Sequence, residues 1–311
     1  MKKKGFVGLI LLVLSILVLV QFLPNLNAAK QNQDTPYQVN FPVLGEHAPE
    51  ILNIEFSSDI NFDQIAKPLP IIEVSQEMYS DTALKALGEG FGFSLNELKK
   101  NDYSYDWYVK PGHYLTVMSE GTFIYQNSPE TIDPAEPFPD DSTLQAAAEK
   151  FLKDNNLLSE GFVFSNVADG LVAEFGSGER YVEQRTVSFM RYIDNVPVYG
   201  NSRLTVSFDR ELNIVGVDSV HSPIKAVADS PQVKNAKDML ETAIEKGRGL
   251  RAFDLHTPSI GKVSILISEI RQAYWEDNDS NLVVPVFHYT GDLYNEEGEH
   301  IGKFVGIEQS F

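Results

Sequence analysis

The sequence predicts an α+β protein, in which an N-terminal transmembrane helix is followed by units that each combine a helix with an antiparallel meander. Three observations support this class. An apolar run near the N-terminus is long enough to cross a bilayer. Several later segments alternate apolar and polar residues, as half-buried strands do. Segments with helical periodicity precede those strands along the chain.

Residues 1–23 are predicted to form a cytoplasmic lysine cluster and a membrane anchor. Three lysines precede the apolar run from Phe6 to Leu23, which at about 1.5 Å per residue reaches roughly 27 Å, close to the hydrocarbon thickness of a bilayer. Because such lysines stay in the cytoplasm, the run predicts a single-pass cell-membrane protein with an extracytoplasmic C-terminal domain. A cleaved signal peptide is the alternative, since small residues occur at 26–29.

Proline-rich breaks divide the rest of the chain. We predict a stalk and lead-in and three α+β units, at residues 24–67, 68–130, 140–222 and 230–311. Helices are expected to start near Ser80, Asp140 and Pro231, the second of them at good helix-starting residues. The repeated order of helix and strands is explained equally by a divergent internal duplication and by a meandering α+β protein without true repeats.

The clearest strand pattern runs from Thr186 to Ser219. Alternate residues of two segments are apolar, namely Val187, Phe189, Leu204, Val206 and Phe208. Turn-forming residues lie between the two segments, namely Asp194, Asn195, Pro197 and Gly200. The pattern predicts an antiparallel meander in which Phe189 and Phe208 point into the core from adjacent strands.

This strand-loop-strand core resembles PepSY and FTP domains. The residues that carry the resemblance are Phe189, Tyr192, Asp194, Pro197, Val198, Tyr199, Gly200, Val206, Asp209 and Val215. Such domains occur in thermolysin-type propeptides and, in related form, in extracytoplasmic parts of YycH- and YycI-type membrane regulators. The resemblance covers residues 140–222 and implies a small α+β fold that binds a protein or holds one inactive.

Composition limits the classes of partner and of stabilising chemistry. The chain has 44 acidic and 25 basic residues, a formal net charge of −19, so its surface should repel nucleic acid. It has no cysteine, which excludes a disulfide framework, a lipid-modified cysteine and a cysteine-based zinc site. We therefore predict no nucleic-acid partner, whereas a protein partner is what the resemblance to PepSY-like domains implies.

No strong catalytic pattern is present in the sequence. The six histidines are scattered, and none shows the spacing of a zinc-binding helix. Ser222 and Lys225 have the spacing of a serine activated by a lysine, but a tether between two elements explains this segment better. We predict no catalytic residue and no cofactor.

The segment from Asp277 to His288 matches a calcium-binding loop only in part. Asp277, Asp279 and Asn281 are spaced like the first ligands of such a loop. Leu282 and His288 stand where a glycine and a bidentate glutamate are required, so a solvated hairpin tip is the better interpretation. No metal site is predicted.

The preferred function is that of a membrane-anchored extracytoplasmic regulatory protein, which contacts a sensor kinase or a protease-like partner without catalysis of its own. The predicted partner-binding residues are Asp194, Asn195, Tyr199 and Asn201, because a turn that bears a tyrosine offers both affinity and selectivity. The alternative is an envelope hydrolase whose residues assemble only in the fold. A buried cluster of acids with a histidine in a cleft would favour the enzyme, whereas exposed aromatic residues and an open strand edge would favour binding.

Overall fold

The structure is a computed structural model that describes residues 49–310, except for 66, 102–103, 111, 128–136, 159–160, 175–179, 229, 232, 234, 247–249, 256–260 and 278–280. The helices of this part are α1 (Phe62–Ile65), α2 (Asp81–Gly90), α3 (Asp141–Asp154) and α4 (Ala236–Glu245). The strands are β1 (Glu50–Phe56), β2 (Ile72–Val74), β3 (Leu98–Lys100), β4 (Tyr105–Lys110), β5 (His113–Ser119), β6 (Thr122–Asn127), β7 (Phe162–Glu174), β8 (Arg180–Ile193), β9 (Val196–Gly200), β10 (Arg203–Phe208), β11 (Ile214–Val220), β12 (Ile224–Val227), β13 (Leu250–Leu255), β14 (Lys262–Asp277), β15 (Leu282–Tyr294) and β16 (His300–Gln309).

The predicted fold class is wrong in two respects. The described chain is mostly β-structure, and its sixteen strands join into one large mixed sheet in place of separate α+β units. The predicted transmembrane helix is not found either. No helix within the described ranges is both long and apolar enough to cross a membrane, and the predicted segment from Phe6 to Leu23 lies outside those ranges. The predicted stalk lies mostly outside them as well.

One half of the strand system is antiparallel throughout, in the order β7-β8-β10-β11-β6-β5-β4-β3, and we call it the meander sheet. Helices α2 and α3 pack their apolar side chains on one face of it. In α3 the buried residues recur one turn apart, at Leu144, Ala148 and Leu152, which gives the helix a single apolar stripe. Phe189 and Phe208 are buried on the adjacent strands β8 and β10, as the alternation predicts.

The second half is built on the long antiparallel pair of β14 and β15, and we call it the hairpin sheet. On one side of this pair, β1 and β9 run parallel to β14 at its two ends. On the other side, β16 and β2 run antiparallel to β15, and they are followed by β13 and β12 respectively. Helix α4 buries Leu240 and Ile244 against the end of the sheet that includes β1 and β16. Parallel and antiparallel pairs are thus mixed around one hairpin.

The two sheets are joined by the tight turn between β8 and β9. Asp194 and Asn195 are its central residues, with φ angles of 49° and 65°. Two successive positive φ angles are the signature of a type I′ turn, and Asp and Asn tolerate that conformation better than most residues. The turn lets β9 leave the meander sheet and pair with β14.

Candidate functional site

The four predicted partner-binding residues occupy two separate places. Asp194 and Asn195 form the I′ turn at one end of β9. Tyr199 and Asn201 lie at the other end, since β9 is five residues long and therefore about 16 Å in length. Asn201 is exposed and follows β9 directly, whereas Tyr199 is half-buried in the hairpin sheet. Tyr199 and Asn201 thus lie together at one end of β9. Asp194 and Asn195 lie at the other end, where they reverse the chain direction.

Tyr199 belongs to a cluster that we name the ring cluster, which comprises Tyr199, Arg271, Ala273, Trp275 and His288. The rings of Tyr199 and His288 are stacked, with centroids 4.6 Å apart and planes 13° from parallel. Arg271 donates a hydrogen bond through Nη2 to the Tyr199 hydroxyl oxygen, and its guanidinium lies 5.7 Å from the centre of the Tyr199 ring. The three side chains therefore hold one another in place.

The register of three strands explains this arrangement. Tyr199 on β9 is aligned with Trp275 on β14, and Arg271 on β14 is aligned with His288 on β15. Since β9 and β15 flank β14, their backbones are roughly 10 Å apart, and rings that stack must meet above β14. Ala273, fully buried, lies on that strand between Arg271 and Trp275. Its small side chain leaves the room that the two rings need.

Arg271 is the charged member of the ring cluster at neutral pH. Burial lowers the pKa of His288 to about 4, and the positive charge of Arg271 acts in the same direction. Burial also raises the pKa of the Tyr199 hydroxyl above its ordinary value. Both rings are therefore neutral, while Arg271 is exposed and cationic. The nearby Glu269 is close enough for its charge to influence Tyr199.

Arg271 differs from three other arginines of the described chain, each of which forms an ion pair. Arg185, Arg191 and Arg203 each contact an aspartate or glutamate. Within the described part of the chain, Arg271 forms no ion pair within 4.0 Å, and its recorded partner is Tyr199. An exposed guanidinium that forms no ion pair is notable in a chain with 44 acidic residues.

A second polar group lies where the two sheets meet, and we call it the junction cluster. Arg191 on β8 contacts Glu276 on β14 through Nη1 and Oε2 at 2.9 Å, and the two side chains are only 4 % and 1 % exposed. Arg191 also donates to the Ser222 carbonyl oxygen at 3.0 Å, while the Ser222 backbone N–H donates to Glu276 Oε1 at 2.7 Å. The ion pair thus ties both sheets to the segment between β11 and β12.

The backbone is closely packed at this junction. Gly200 at the end of β9 has a φ of +96°, and a Cβ atom there would lie 2.5 Å from the Glu276 carbonyl oxygen. Glycine is therefore required both by the left-handed conformation and by the approach of β9 to β14. The same residue that ends β9 lets Glu276 reach the ion pair.

His221 and Ser219 are the part of the junction that most resembles a catalytic arrangement. The Ser219 hydroxyl lies 3.3 Å from His221 Nδ1, but it donates its proton to the Gly121 carbonyl oxygen at 2.8 Å. Ser219 is also almost completely buried, so a substrate could not reach it without a rearrangement. Glu276, the acid of the cluster, is neutralised by Arg191. This geometry fits a structural role better than a nucleophile and its base.

The remaining sequence candidates do not form a site either. Ser222 uses its backbone in the junction cluster, and Lys225 is exposed on β12 with no helix between them. Asp279 and the side chain of Asp277 lie outside the described residues, so the calcium-loop pattern is not described as a unit. Over the described ranges, no three His, Asp or Glu residues are grouped closely enough to hold a metal ion.

An open strand edge lies on the hairpin sheet. In the described chain β12 pairs with β2 alone, and all four of its residues are exposed. Ile224 is 49 % and Val227 is 67 % exposed, which is unusual for large apolar side chains on a strand. Ala228, the next residue, packs in the same apolar cluster as Tyr199 and Trp275. Unpaired backbone groups of this kind can accept a strand from another protein.

The stability of the protein should fall between pH 7 and pH 5 because of His221. Burial lowers its folded-state pKa to about 4, helped by the charge of Arg191, whereas the unfolded value is near 6.5. Between these values the unfolded chain binds more protons, so this stabilising contribution is complete above about pH 6.5 and decreases as the pH falls. At pH 5 the loss that comes from His221 should be about 2 kcal/mol, measured by urea unfolding. His288, whose pKa is also lowered to about 4, adds to the loss in the same direction.

A His221→Gln variant provides the control for this effect. Its unfolding free energy should lack the part of the pH dependence that comes from His221, so the curves of the two proteins should converge as the pH decreases. If both proteins lost the same free energy between pH 7 and pH 5, His221 would not be the titrating group.

The members of the ring cluster and the junction cluster that the sequence did not reveal are Arg271, His288, Arg191 and Glu276. Arg191 left a detectable signal, because it occupies an inward position in the alternation that includes Phe189 and Ile193. A charged residue at such a position requires a buried partner. Arg271 left no signal of this kind, since its position is exposed and its contacts come from other strands.

Comparisons with known proteins add little to this picture. No family model and no curated protein matches the chain. A solved structure of an uncharacterized protein from Eubacterium rectale ATCC 33656 is similar, with 10 % sequence identity over 84 % of this chain and 88 % of that chain and a TM-score of 0.40. A similarity at this level carries no argument about fold or function. The resemblance to PepSY domains is not tested by these findings and stays a prediction.

Proposed function

We propose that the protein binds another protein without catalysing a reaction, and that the ring cluster is the centre of the contact surface. The observation that carries the proposal is Arg271, an exposed arginine that is positioned by Tyr199 but has no acidic partner in the described chain. That the bound protein is a sensor kinase or a protease stays a prediction from the sequence. The extracytoplasmic location of the present protein stays a prediction as well.

The residue types of the ring cluster support this function. Trp, Tyr and Arg are the residues most enriched among those that dominate the free energy of protein–protein binding. Here Tyr199 and Trp275 are half-buried, so each presents part of its surface while the remainder is packed. Because Tyr199 is stacked on His288, little conformational entropy is lost when a partner covers it.

The open edge of β12 supports the same function. Its backbone groups lie on the sheet that carries the ring cluster, and two exposed apolar side chains accompany them. A partner that adds a strand gains main-chain hydrogen bonds, while contacts to side chains nearby provide selectivity. Exposed aromatic surface and an open strand edge are the features expected of a binding protein, whereas the junction cluster contains a single acid that is already paired.

The proposal is tested by photo-crosslinking the full-length protein in cells. One crosslinking amino acid replaces Asn201, beside the ring cluster, and a second replaces the exposed Val163 on β7 as a matched control. We expect a defined partner to be captured at position 201 and not at position 163. Mass spectrometry then identifies the partner, which is purified for affinity measurements.

Arginine variants make this experiment quantitative. Arg271→Ala should weaken binding to the purified partner by about tenfold or more, as expected for a central interface residue. Arg203→Ala removes another exposed arginine, which pairs with Asp218 on the meander sheet, and should leave binding unchanged. Tyr199→Phe keeps the ring and removes the hydroxyl that positions Arg271, so it should have an intermediate effect. Equal affinities for the wild type and Arg271→Ala would contradict the proposed surface.

The hydrolase alternative is tested with the same purified protein. Turnover of a peptide, glycan or ester substrate that is lost in Ser219→Ala or His221→Gln, with folding preserved, would support an enzyme in place of a binding protein. These are the residues to test because they form the serine–histidine contact at the junction.

A further inference from the structure

We propose that the ring cluster recognises a carboxylate, specifically an Asp or Glu side chain on the segment of the partner protein that lies across it. This inference rests on the proposed function and adds the chemistry of the partner. It is carried by the contacts and the electrostatic surroundings of Arg271.

Arg271 is prepared for such an interaction. A guanidinium has five N–H donors in a fixed plane, and one nitrogen of Arg271 already donates to the Tyr199 hydroxyl. This bond and the contact with the Tyr199 ring fix the side chain, while its exposure leaves the other donors available. Carboxylates match the planar fork with two parallel hydrogen bonds, which are shorter and stronger than bonds to neutral acceptors.

Three other arginines of the fold show what is missing at Arg271. Arg203 contacts Asp218 at 2.7 Å on the meander sheet, and Arg185 contacts Asp141 at the same distance. The buried Arg191 contacts Glu276 at 2.9 Å. In each case the chain supplies its own acid, whereas at Arg271 it supplies a tyrosine hydroxyl. A partner that provides the acid would complete the same arrangement.

Desolvation argues for an acidic group as well. A partner that covers Tyr199 and Trp275 would also remove water from Arg271, which lies on the same face of β14. Covering a guanidinium with apolar or basic groups leaves its donors without acceptors and is strongly unfavourable. His288 is neutral and cannot offset the charge. The contacting segment must therefore bring an acceptor, and a carboxylate satisfies both the charge and the donors.

The acidity of the whole protein limits what kind of segment can bind. With a net charge of −19, the protein repels strongly acidic chains at long range. Charges farther apart than about 8 Å are largely screened at physiological salt, so a direct contact with Arg271 can still be favourable. The segment that fits is one with a single acid among uncharged or basic residues. Glu269 is expected to weaken this contact through its nearby negative charge.

Defined peptides test the inference on the full-length protein. The probe is an acetylated and amidated peptide in which one Glu is flanked by Thr, Val and Lys, and the matched probe carries Gln in its place. Binding is followed by the NMR signal of the Arg271 side-chain N–H, assigned with the Arg271→Lys variant. The Glu peptide should shift this signal to saturation. The Gln peptide should bind at least about tenfold more weakly.

Two variants serve as matched controls for the peptide titration. Arg203→Ala should bind the Glu peptide as the wild type does, because its ion pair is on the other sheet. Glu269→Gln should bind it more tightly, since a negative charge near the ring cluster is removed. Equal binding of the Glu and Gln peptides, or no shift of the Arg271 signal with the Glu peptide, would overturn the inference.

The crosslinked partner separates failure of this inference from failure of the proposed function. If Arg271→Ala weakens the complex, each acid in the captured segment is replaced by its amide, alone and together with Arg271→Ala. One amide replacement should weaken binding about tenfold and have no further effect in the double variant. If no acid is coupled to Arg271 in this way, the carboxylate inference fails while the binding surface stands.

Discussion

Glu276→Ala should lower the free energy of unfolding by about 3–5 kcal/mol, measured by urea denaturation at pH 7. The carboxylate is 1 % exposed and binds both the Arg191 guanidinium and the Ser222 backbone N–H. Its removal leaves a buried positive charge that no other carboxylate of the described chain contacts. Most of this loss of free energy therefore comes from leaving the Arg191 charge unpaired, and less of it comes from losing the attraction between Arg191 and Glu276.

A double variant separates these two contributions. Arg191→Met combined with Glu276→Leu removes both charges and should be far less destabilising than the sum of the single replacements. Arg203→Ala breaks an exposed ion pair and should cost less than about 1 kcal/mol. An unfolding midpoint for Glu276→Ala within error of the wild type, at unchanged slope, would show that the junction is not held by this ion pair.

Phe189→Ala should be comparably destabilising, by about 3–5 kcal/mol. The side chain is 4 % exposed and lies in the main apolar cluster between the meander sheet and helices α2 and α3. It also meets Phe164 edge to face, with ring centroids 6.3 Å apart. Because several elements surround the ring, the cavity left by alanine cannot collapse easily, which adds to the loss of apolar burial.

The neighbouring residue Met190 provides a control for Phe189. It lies on the opposite face of β8 and is half-buried, so Met190→Ala should cost clearly less than Phe189→Ala. Equal destabilisation by the two variants in thermal or urea unfolding would contradict the assignment of the inner face of β8.

The meander strands could be predicted because their signal is local. Alternation in β8 and β10 specifies which side chains are buried, and the turn residues at 194–195 specify a reversal. Helix α3 was predicted from its helix-starting residues and its apolar spacing in the same way, and a helix was also expected at α2. The predicted fold class of separate α+β units was wrong, because the alternation of apolar and polar residues does not indicate which sheet a strand joins.

Strand β9 shows why pairing partners could not be predicted. The segment 194–200 was predicted as the turn between two strands of the meander, because Asp194, Asn195, Pro197 and Gly200 are turn-forming residues, and no strand was expected at Val196–Gly200. In the structure β9 pairs only briefly with β8 and then runs parallel to β14. The reason is tertiary: Gly200 permits an approach to Glu276 that depends on residues far along the chain.

The candidate site could be predicted only in part, because the pairing of distant strands is not visible in the sequence. Tyr199 was chosen because it stands near a turn, and it does lie in the ring cluster. Its closest companions, Arg271 and His288, come from strands that the sequence places after another helix. Isolated arginine and histidine residues on strands carry no sign of their neighbours, so only the assembled sheet reveals the cluster.

The position of β1 has a consequence for how the chain folds. Its first residue, Glu50, is aligned with Lys262 on β14. One of the earliest described strands can therefore pair only after one of the last strands has been synthesised. β9 has the same dependence on β14. Pairings this distant in sequence close large loops and slow the folding reaction, which places this protein among the slower single-chain folders. During synthesis, neither β1 nor β9 can pair with β14 until the ribosome has delivered the β14–β15 hairpin.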